Sequence, residues 1–270
     1  MAERRPRERL DHALVERGLA PTRSKAQAWV LAGLVSVDGS PAKTAGQAVH
    51  AEQELVVVQL PKFVSRAGDK LDGFLEHLAW EVTGAQALDI GASTGGFTDC
   101  LLQRGAAAVV AVDVGYGQLD QKVRSDPRVT VLERTNARGL VPEVLPFAPD
   151  LIVADVSLSS LRHILGPALA CARAPWRAIV LVKPQFEAAP GDVGKGGVVR
   201  AAAVRRRAVA NVARYASSLG AVPITARDSG LPGPAGNHEY PLAIVSHDHP
   251  LASDTHPDPD DIASSAVDDA

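Results

Sequence analysis

The sequence has few of the residues that mark secreted, metal-bound or membrane-embedded proteins. Two cysteines in 270 residues are too few for a disulfide framework or a cysteine-based metal cluster. The longest purely apolar run covers residues 106–112, whereas a helix that spans a bilayer needs about 20 residues. No apolar signal core follows the arginine-rich N-terminus. We therefore expect a cytoplasmic protein with no disulfide, no bound metal and no membrane span.

Positive charge is missing from the end of the chain. From Ser246 onward there are seven aspartates and no lysine or arginine, and we expect residues 247–270 to form an acidic disordered tail. Without these aspartates the chain has 28 basic and 24 acidic residues. Basic residues concentrate in residues 1–25 and 193–227. Two basic surfaces favour a polyanionic partner, although ordinary solvated helix faces produce the same pattern.

The N-terminal part, residues 1–61, is predicted to form a small α+β domain. The spacing of its apolar residues predicts two short helices between Arg9 and Ala32. The dipeptide Asp38-Gly39 then predicts a hairpin turn between strands. Residues 62–66 follow as a predicted linker.

The larger part, residues 67–246, alternates strands and helices after an initial helix over residues 67–78. This alternation predicts an α/β fold with a doubly wound parallel sheet and helices on both faces. In such sheets, ligands bind in a crevice at the carboxyl ends of the strands. Strands are predicted at residues 87–90, 108–113, 129–132, 151–155, 178–183, 222–226 and 242–245, and helices at residues 96–104, 119–124, 159–171 and 199–219.

A glycine-rich turn, residues 88–99, follows the first of these strands and opens a helix. Small residues there let a ligand approach the backbone, and the helix N-terminus favours negative charge. The spacing Gly-x-x-x-Gly-Gly fits a dinucleotide site poorly. It allows an S-adenosylmethionine site with Asp89 as the strand acid, or a hydrolase elbow at Ser93. A tight turn without a ligand is the simplest alternative.

Charged residues also occur at successive strand boundaries. Asp113 ends the second strand, where a carboxylate can bind both hydroxyls of a ribose, which a hydrolase does not need. Asp155, Lys183 and Glu239 lie at later strand boundaries, and Lys70 lies on the preceding helix. Each alone is typical of a surface ion pair, but together they predict a catalytic set at one edge of the sheet. A Ser93–Asp155–His238 triad remains the hydrolase alternative.

Several blocks of the sequence resemble known families. Arg9-Leu10-Asp11, Arg23-Ser24 and Val37-Asp38-Gly39 are similar to the S-four-type RNA-binding domain of a ribosomal small-subunit protein. The glycine-rich turn and the block Leu181–Glu187 resemble the TlyA family. That resemblance spans residues 7 to about 245.

The resemblance implies a Rossmann-like, class I methyltransferase sheet of the FtsJ group, preceded by a small RNA-binding domain. Family members use S-adenosylmethionine to methylate cytidine 2′-hydroxyls in 23S and, for some members, 16S ribosomal RNA. Some were first described as hemolysins. The expected partner is therefore ribosomal RNA within ribosomal subunits, bound by a monomer. The rival hypotheses are an RNA-binding assembly factor without turnover, a membrane-active hemolysin and a Ser93 hydrolase.

The resemblance also implies three sets of site residues. The catalytic set is Lys70, Asp155, Lys183 and Glu239. The S-adenosylmethionine-binding set is Asp89, Gly91, Ala92, Ser93, Gly95, Gly96, Phe97, Asp113, Val114, Asn136 and Ala137. The RNA-binding set is Arg4, Arg7, Arg17, Arg23, Lys43, Arg66, Arg134 and Arg138.

Overall fold

The computed structural model describes residues 7–58, 61–252 and 257–268. The chain divides into two compact units, Met1–Pro61 and Lys62–Ala270. The first unit ends at Pro61, which is also the predicted end of the small domain. Each unit has its own buried apolar core.

The small unit combines two helices with short antiparallel strands. The strand β2 pairs with β3 and β5, and β1 pairs with β4. The pairing of β1 with β4 was not predicted, because neither three-residue strand has an alternating apolar pattern. The elements are β1 (Arg7–Arg9), α1 (Leu10–Glu16), α2 (Arg23–Leu31), β2 (Val35–Val37), β3 (Ser40–Pro41), β4 (Ala48–His50) and β5 (Leu55–Val57).

Local sequence explains the turns of the small unit. The Thr22 hydroxyl accepts a hydrogen bond from the Lys25 amide at 3.2 Å and so caps α2. Asp38 and Gly39 both have positive φ, 50° and 74°, as a two-residue hairpin turn requires. The hairpin turn agrees with the sequence prediction.

The large unit contains a seven-stranded sheet with helices on both faces. Its strand order is β11-β12-β10-β9-β6-β7-β8, and β12 alone is antiparallel to its neighbours. The elements are α3 (Arg66–Leu78), β6 (Gln86–Ile90), α4 (Gly96–Gln103), β7 (Ala108–Val112), α5 (Gln121–Arg124), β8 (Val129–Leu132), β9 (Leu151–Ala154), α6 (Leu165–Ala170), β10 (Arg177–Val182), α7 (Pro184–Glu187), α8 (Ala202–Ser218), β11 (Ala221–Ala226), β12 (Tyr240–Ser246) and α9 (Pro259–Asp268).

The sheet is buried between two apolar cores. Leu88 and Ile90 of β6 face one core, with α6, α8 and α9, whereas Ala87 faces the other, with α3 and α4. The chain leaves β6 toward β7 on one side and reaches β9 on the other, so the strand order reverses beside β6. The carboxyl end of β6 is therefore the place where a ligand crevice is expected.

The predicted doubly wound sheet is confirmed, but its all-parallel character is wrong at β12. Residues 227–239, which connect β11 to β12, contain no helix. A parallel connection needs a crossover, usually a helix, so a chain without one returns antiparallel to its neighbour.

The predicted linker, residues 62–66, is part of the large unit. Phe63 is buried in the core beside α3 and α4. The Val64 amide donates to Asp99 Oδ2 at 3.0 Å, and Lys62 pairs with Asp72. A Cβ at Gly68 would collide with the Phe63 ring, so the glycine makes room for this packing.

The prediction of a disordered tail is wrong for α9. Ile262, Ala263, Ala266 and Val267 form a buried apolar face that packs with residues of α8 and β11. Two aspartates of the same helix pair with arginines of α8, Arg206–Asp268 at 2.6 Å and Arg214–Asp260 at 2.5 Å. Helical spacing of a few apolar residues among many aspartates is the signal that the analysis of composition overlooked. Within the rest of the predicted tail, residues 253–256 and 269–270 lie outside the described residues.

Candidate active site

The glycine-rich turn adopts a conformation that only glycine allows at two positions. Gly91 follows β6 with φ of 82°, and a Cβ there would collide with the Asp155 carbonyl oxygen. Gly95 caps α4 with φ of 93°, and a Cβ there would lie 2.8 Å from Leu119 Cδ1. The turn therefore bends sharply away from the strand and leaves space above the sheet.

A cavity of about 560 Å³ opens in that space. Its volume lies in the range of small-molecule sites, about 300–1,000 Å³. Leu158, Gln118 and Ser157 also line it, although they were not predicted. The predicted cofactor residues that line it are Gly91, Ser93, Asp113, Val114, Asn136 and Ala137.

Asp113 is held in a fixed orientation at this cavity. Its Oδ2 accepts a hydrogen bond from the Ser93 amide at 2.8 Å, and its Oδ1 accepts one from the Gly115 amide at 2.6 Å. Ser93 reaches this position with a left-handed φ of 49°, which is strained for a residue other than glycine. Each carboxylate oxygen keeps a free lone pair, so both can still accept hydrogen bonds from ribose hydroxyls.

Asp89 lies beneath the turn and lines neither this cavity nor the smaller one described below. It is fully buried and accepts a hydrogen bond from the Thr98 hydroxyl of α4 at 2.6 Å. Burial, together with the nearby carboxylate of Asp155, raises the pKa of Asp89 to about 7. Among the described residues, its Oδ1 has no hydrogen-bond partner. Asp89 therefore joins β6 to α4 and supports the turn from below.

The predicted catalytic residues form two buried ion pairs. The Lys70 ammonium lies 2.5 Å from Glu239 Oε2, and the Lys183 ammonium lies 2.6 Å from Asp155 Oδ1. The two lysines are only 8% and 9% exposed and Glu239 is 2% exposed. Lysines this deeply buried are rare outside ion pairs and functional sites.

Sheet register brings the two ion pairs together. The antiparallel ladder between β10 and β12 pairs Val182 with Tyr240. Extended by one residue, the same register places Lys183 opposite Glu239 at the end of the ladder. All four predicted catalytic residues therefore meet at one edge of the sheet.

A second cavity of about 130 Å³ connects this edge to the larger cavity. Lys183 and Phe97 line only the smaller cavity, together with Ala92. Four residues line both: Gly91, Ser93, Asp155 and Ser157. Gly95 and Gly96 line neither cavity; they carry the turn into α4. The larger cavity therefore shares a wall with the smaller cavity that Lys183 lines.

The geometry contradicts the hydrolase alternative. His238 Nδ1 lies 2.7 Å from Asp228 Oδ2, and Asp155 pairs with Lys183. No triad of Ser93, Asp155 and His238 can form in this arrangement.

Some of the predicted RNA-binding residues bind other groups of the small unit, whereas others are exposed. Arg17 donates to the carbonyl oxygens of Gln53 and His50 at 2.9 and 3.0 Å, and Arg23 donates to the buried Asp11 at 3.1 Å. These two arginines therefore hold the small unit together. Arg4 lies outside the described residues. The exposed residues of the set are Arg7, Arg23 and Lys43 in the small unit and Arg66, Arg134 and Arg138 in the large unit.

Two of the exposed arginines lie beside the larger cavity. The Arg134 guanidinium stacks on the Tyr116 ring, 4.2 Å from its centroid. Arg138 lines the cavity and donates to the Ser159 hydroxyl at 3.1 Å.

The second basic cluster, residues 193–227, is less available to a polyanion than the sequence suggests. Three of its arginines pair with aspartates at 2.5–2.8 Å. Two of those aspartates belong to α9. The pairs are Arg206–Asp268, Arg207–Asp192 and Arg214–Asp260.

One group of metal-ligating side chains lies on α1 and β1 of the small unit. His12 Nδ1 lies 3.9 Å from Glu8 and 3.6 Å from Glu16. Glu8 also pairs with Arg17 at 3.1 Å. Such spacing is typical of a solvated helix face, and we assign no metal to it.

Two residues that bind predicted site residues were not predicted from the sequence. Ser157 accepts a hydrogen bond from the Lys183 ammonium at 2.9 Å, and Thr98 binds Asp89. Ser157 lies two residues after Asp155, and this period of two at the end of a strand is the signal that could have identified it. Thr98 lies nine residues beyond Asp89, and no local pattern joins the two.

Comparisons with protein families agree with this geometry. A family model described as FtsJ-like methyltransferase matches residues 63–245, and one described as S4 domain matches residues 8–55. The sheet, the turn and the paired lysines are thus those of a methyltransferase preceded by an S4 domain.

Individual relatives show to which family of FtsJ-like methyltransferases the chain belongs. It is 51% identical over 236 residues to the 16S/23S rRNA (cytidine-2′-O)-methyltransferase TlyA of Mycobacterium tuberculosis, covering 87% of this chain and 88% of that protein. It is 35% identical to the 23S rRNA (cytidine-2′-O)-methyltransferase TlyA of Campylobacter jejuni, covering 66% of this chain and 69% of that protein. The chain belongs to the TlyA family of FtsJ-like methyltransferases.

A solved structure from Streptococcus thermophilus, named as a hemolysin, shares this architecture. It superposes with a TM-score of 0.71 at 34% identity, covering 98% of this chain and 97% of that one. Within the described ranges of the present chain, no helix is both long and apolar enough to cross a bilayer.

Proposed function

We propose that the protein transfers a methyl group from S-adenosylmethionine to the 2′-hydroxyl of a cytidine in ribosomal RNA. The observation that supports this most directly is the pair of joined cavities, one suited to a nucleoside and the other lined by Lys183. The nucleotide and the position of the methyl group come from the names of the TlyA relatives.

The larger cavity fits the cofactor in size and in chemistry. Asp113 offers two oriented carboxylate oxygens to the ribose hydroxyls, and the buried Ala137 offers an apolar surface to the adenine. Gly91 and Ser93 would line the methionine part at the boundary with the smaller cavity. When bound, S-adenosylmethionine supplies an electrophilic methyl group on a positively charged sulfur.

Lys183 is the residue that would manage the proton of the 2′-hydroxyl. In its neutral form, Lys183 Nζ would accept this proton, so that the 2′-oxygen could bond to the methyl carbon as the bond from that carbon to sulfur breaks. Asp155 orients the Lys183 side chain, and Glu239 orients Lys70. Most of the rate gain in such a displacement comes from holding the two reactants in line.

The small unit would dock the enzyme on folded RNA. Arg7 and Lys43 are exposed there, and contacts of this kind to phosphates position a protein without reading base sequence. A substrate within ribosomal subunits agrees with a cytoplasmic location, and we propose that the enzyme acts as a monomer.

Incubation with labelled S-adenosylmethionine and separated ribosomal subunits tests the proposal. We expect label in 23S RNA, at the 2′-oxygen of a cytidine after nuclease digestion and mass spectrometry, and none with the Lys183→Ala variant. Parallel reactions on the small subunit determine whether 16S RNA is also a substrate. Binding to either subunit without any label would instead indicate an assembly factor and refute the enzymatic proposal.

A further inference from the structure

The loop that follows β9 supplies a second partner for the Lys183 ammonium. Ser157 Oγ accepts a hydrogen bond from Lys183 Nζ at 2.9 Å, and Asp155 Oδ1 lies 2.6 Å from the same nitrogen. In the parallel ladder, Val180 pairs with Ala154, and the same register places Lys183 beside Ser157. The ladder itself ends at the Val180–Ala154 pair, so the contact lies just beyond the strands, in the loop after β9.

The loop is held in place although Ser157 itself is exposed at the cavities. The Glu187 carboxylate, four residues beyond Lys183, accepts hydrogen bonds from the Ser160 hydroxyl at 2.6 Å and from the Leu161 amide at 2.7 Å. Glu187 and Ser160 are both buried. These bonds fasten the turn after β10 to the loop after β9, so the Ser157 hydroxyl keeps its position relative to Lys183.

One hydrogen-bond acceptor and one ion-pair partner restrain the lysine nitrogen. An ammonium group has three N–H bonds around a tetrahedral nitrogen. Ser157 accepts one of them, and the Asp155 carboxylate lies 2.6 Å away as the ion-pair partner. When the nitrogen loses a proton, the N–H bond that Ser157 accepts restricts the directions left to the lone pair.

We propose that Ser157 is a positioning residue that, with Asp155, aims the lone pair of Lys183 at the 2′-hydroxyl of the RNA substrate. This inference rests on the proposed function and goes beyond it by assigning the direction of proton transfer to a residue outside the predicted catalytic set. Ser157 lines both cavities, so it lies where the cofactor and the lysine approach each other.

The test compares Ser157→Ala with Ser157→Thr, which restores a hydroxyl, and with Ser217→Ala as the control. Ser217 lies on α8, away from both cavities, and its hydroxyl donates to the Ala213 carbonyl at 3.2 Å. For Ser157→Ala we expect kcat to fall about 10- to 100-fold, because a misdirected base loses much of the benefit of orientation. The KM for S-adenosylmethionine and the thermal midpoint should remain at the wild-type values, and Ser157→Thr should recover most of kcat.

The split between kcat and KM, together with rescue by Ser157→Thr, separates positioning from a purely structural role. An unchanged kcat in Ser157→Ala would overturn the inference, as would a loss confined to cofactor affinity or to thermal stability. If the wild-type enzyme labels no RNA, the proposed function fails instead, and the two failures are therefore distinguishable.

Discussion

Replacing Asp89 by asparagine should stabilise the protein at alkaline pH. Asp89 is fully buried, and its pKa is raised from the ordinary 3.8 to about 7 because burial disfavours the charged form. The folded state therefore holds a proton that the unfolded state releases, so stability falls as pH rises between these two values. Above pH 7 the ionised carboxylate destabilises the fold by at most about 4 kcal/mol.

Asparagine is the appropriate replacement because it resembles the protonated carboxyl. Its amide oxygen can accept the hydrogen bond from the Thr98 hydroxyl that Asp89 accepts at 2.6 Å. At about pH 4, where wild-type Asp89 is neutral, the variant and the wild type should differ little. At about pH 8 the variant should melt higher by up to about 10 °C, since a domain of this size gains about 2–4 °C per kcal/mol.

The assay is thermal unfolding of both proteins across this pH range, followed by circular dichroism. Groups that do not interact with Asp89 titrate equally in the two proteins, so the difference between their midpoints reports on Asp89 and on the carboxylates coupled to it. A difference that is the same at both ends of the range, or that is larger in acid, would refute the assignment of a raised pKa to Asp89.

Four further predictions follow from the same structure. Lys183→Ala should bind cofactor and RNA but lose about 10²–10⁴-fold in kcat, and Lys183→Arg should also fail, because a guanidinium cannot accept the proton; an active arginine variant contradicts the role. Asp113→Ala should weaken S-adenosylmethionine binding about tenfold or more by calorimetry, since hydrogen bonds to a charged group are worth about 1.5–3 kcal/mol, while RNA affinity stays unchanged. Arg9 and other partners hold the pKa of the buried Asp11 well below its usual range, so Asp11→Asn should destabilise the small unit near neutral pH, and this penalty should begin to shrink only as pH falls below about 4. A chain lacking residues 1–61 should still fold and bind cofactor, because the large unit has its own core, but should methylate subunits poorly; full activity of the truncated chain would refute the docking role.

The local sequence pattern alone was sufficient to predict most helices and strands of the large unit. The predicted strand over residues 129–132 is β8 without change, and the predicted helix over residues 199–219 contains α8, Ala202–Ser218. Buried strands and amphipathic helices have apolar periods that are visible in any short window of sequence. Gly91 and Asp113 were identified for the same reason, because a turn after a strand and an acid at a strand end are local features.

Predictions from composition were wrong where only a few buried apolar residues determine the structure. The apolar face of α9 is spread among aspartates, so a high density of acid concealed a helix that has a buried side. The predicted linker was wrong for a similar reason, because the single buried ring of Phe63 holds this segment on the large unit. Burial depends on what lies opposite a side chain, and no window of sequence contains that information.

The pairing of charges was decided by the tertiary structure alone. Lys70 and Glu239 are 169 positions apart, and they meet because the sheet register and α3 bring them together. Arg17 was predicted to contact RNA, yet it binds carbonyl oxygens of residues 33 and 36 positions away. A charged side chain has the same sequence signature whether it faces solvent, RNA or a buried partner. Only the folded chain determines its partner, because an ion pair or hydrogen bond forms only between groups a few ångströms apart in space.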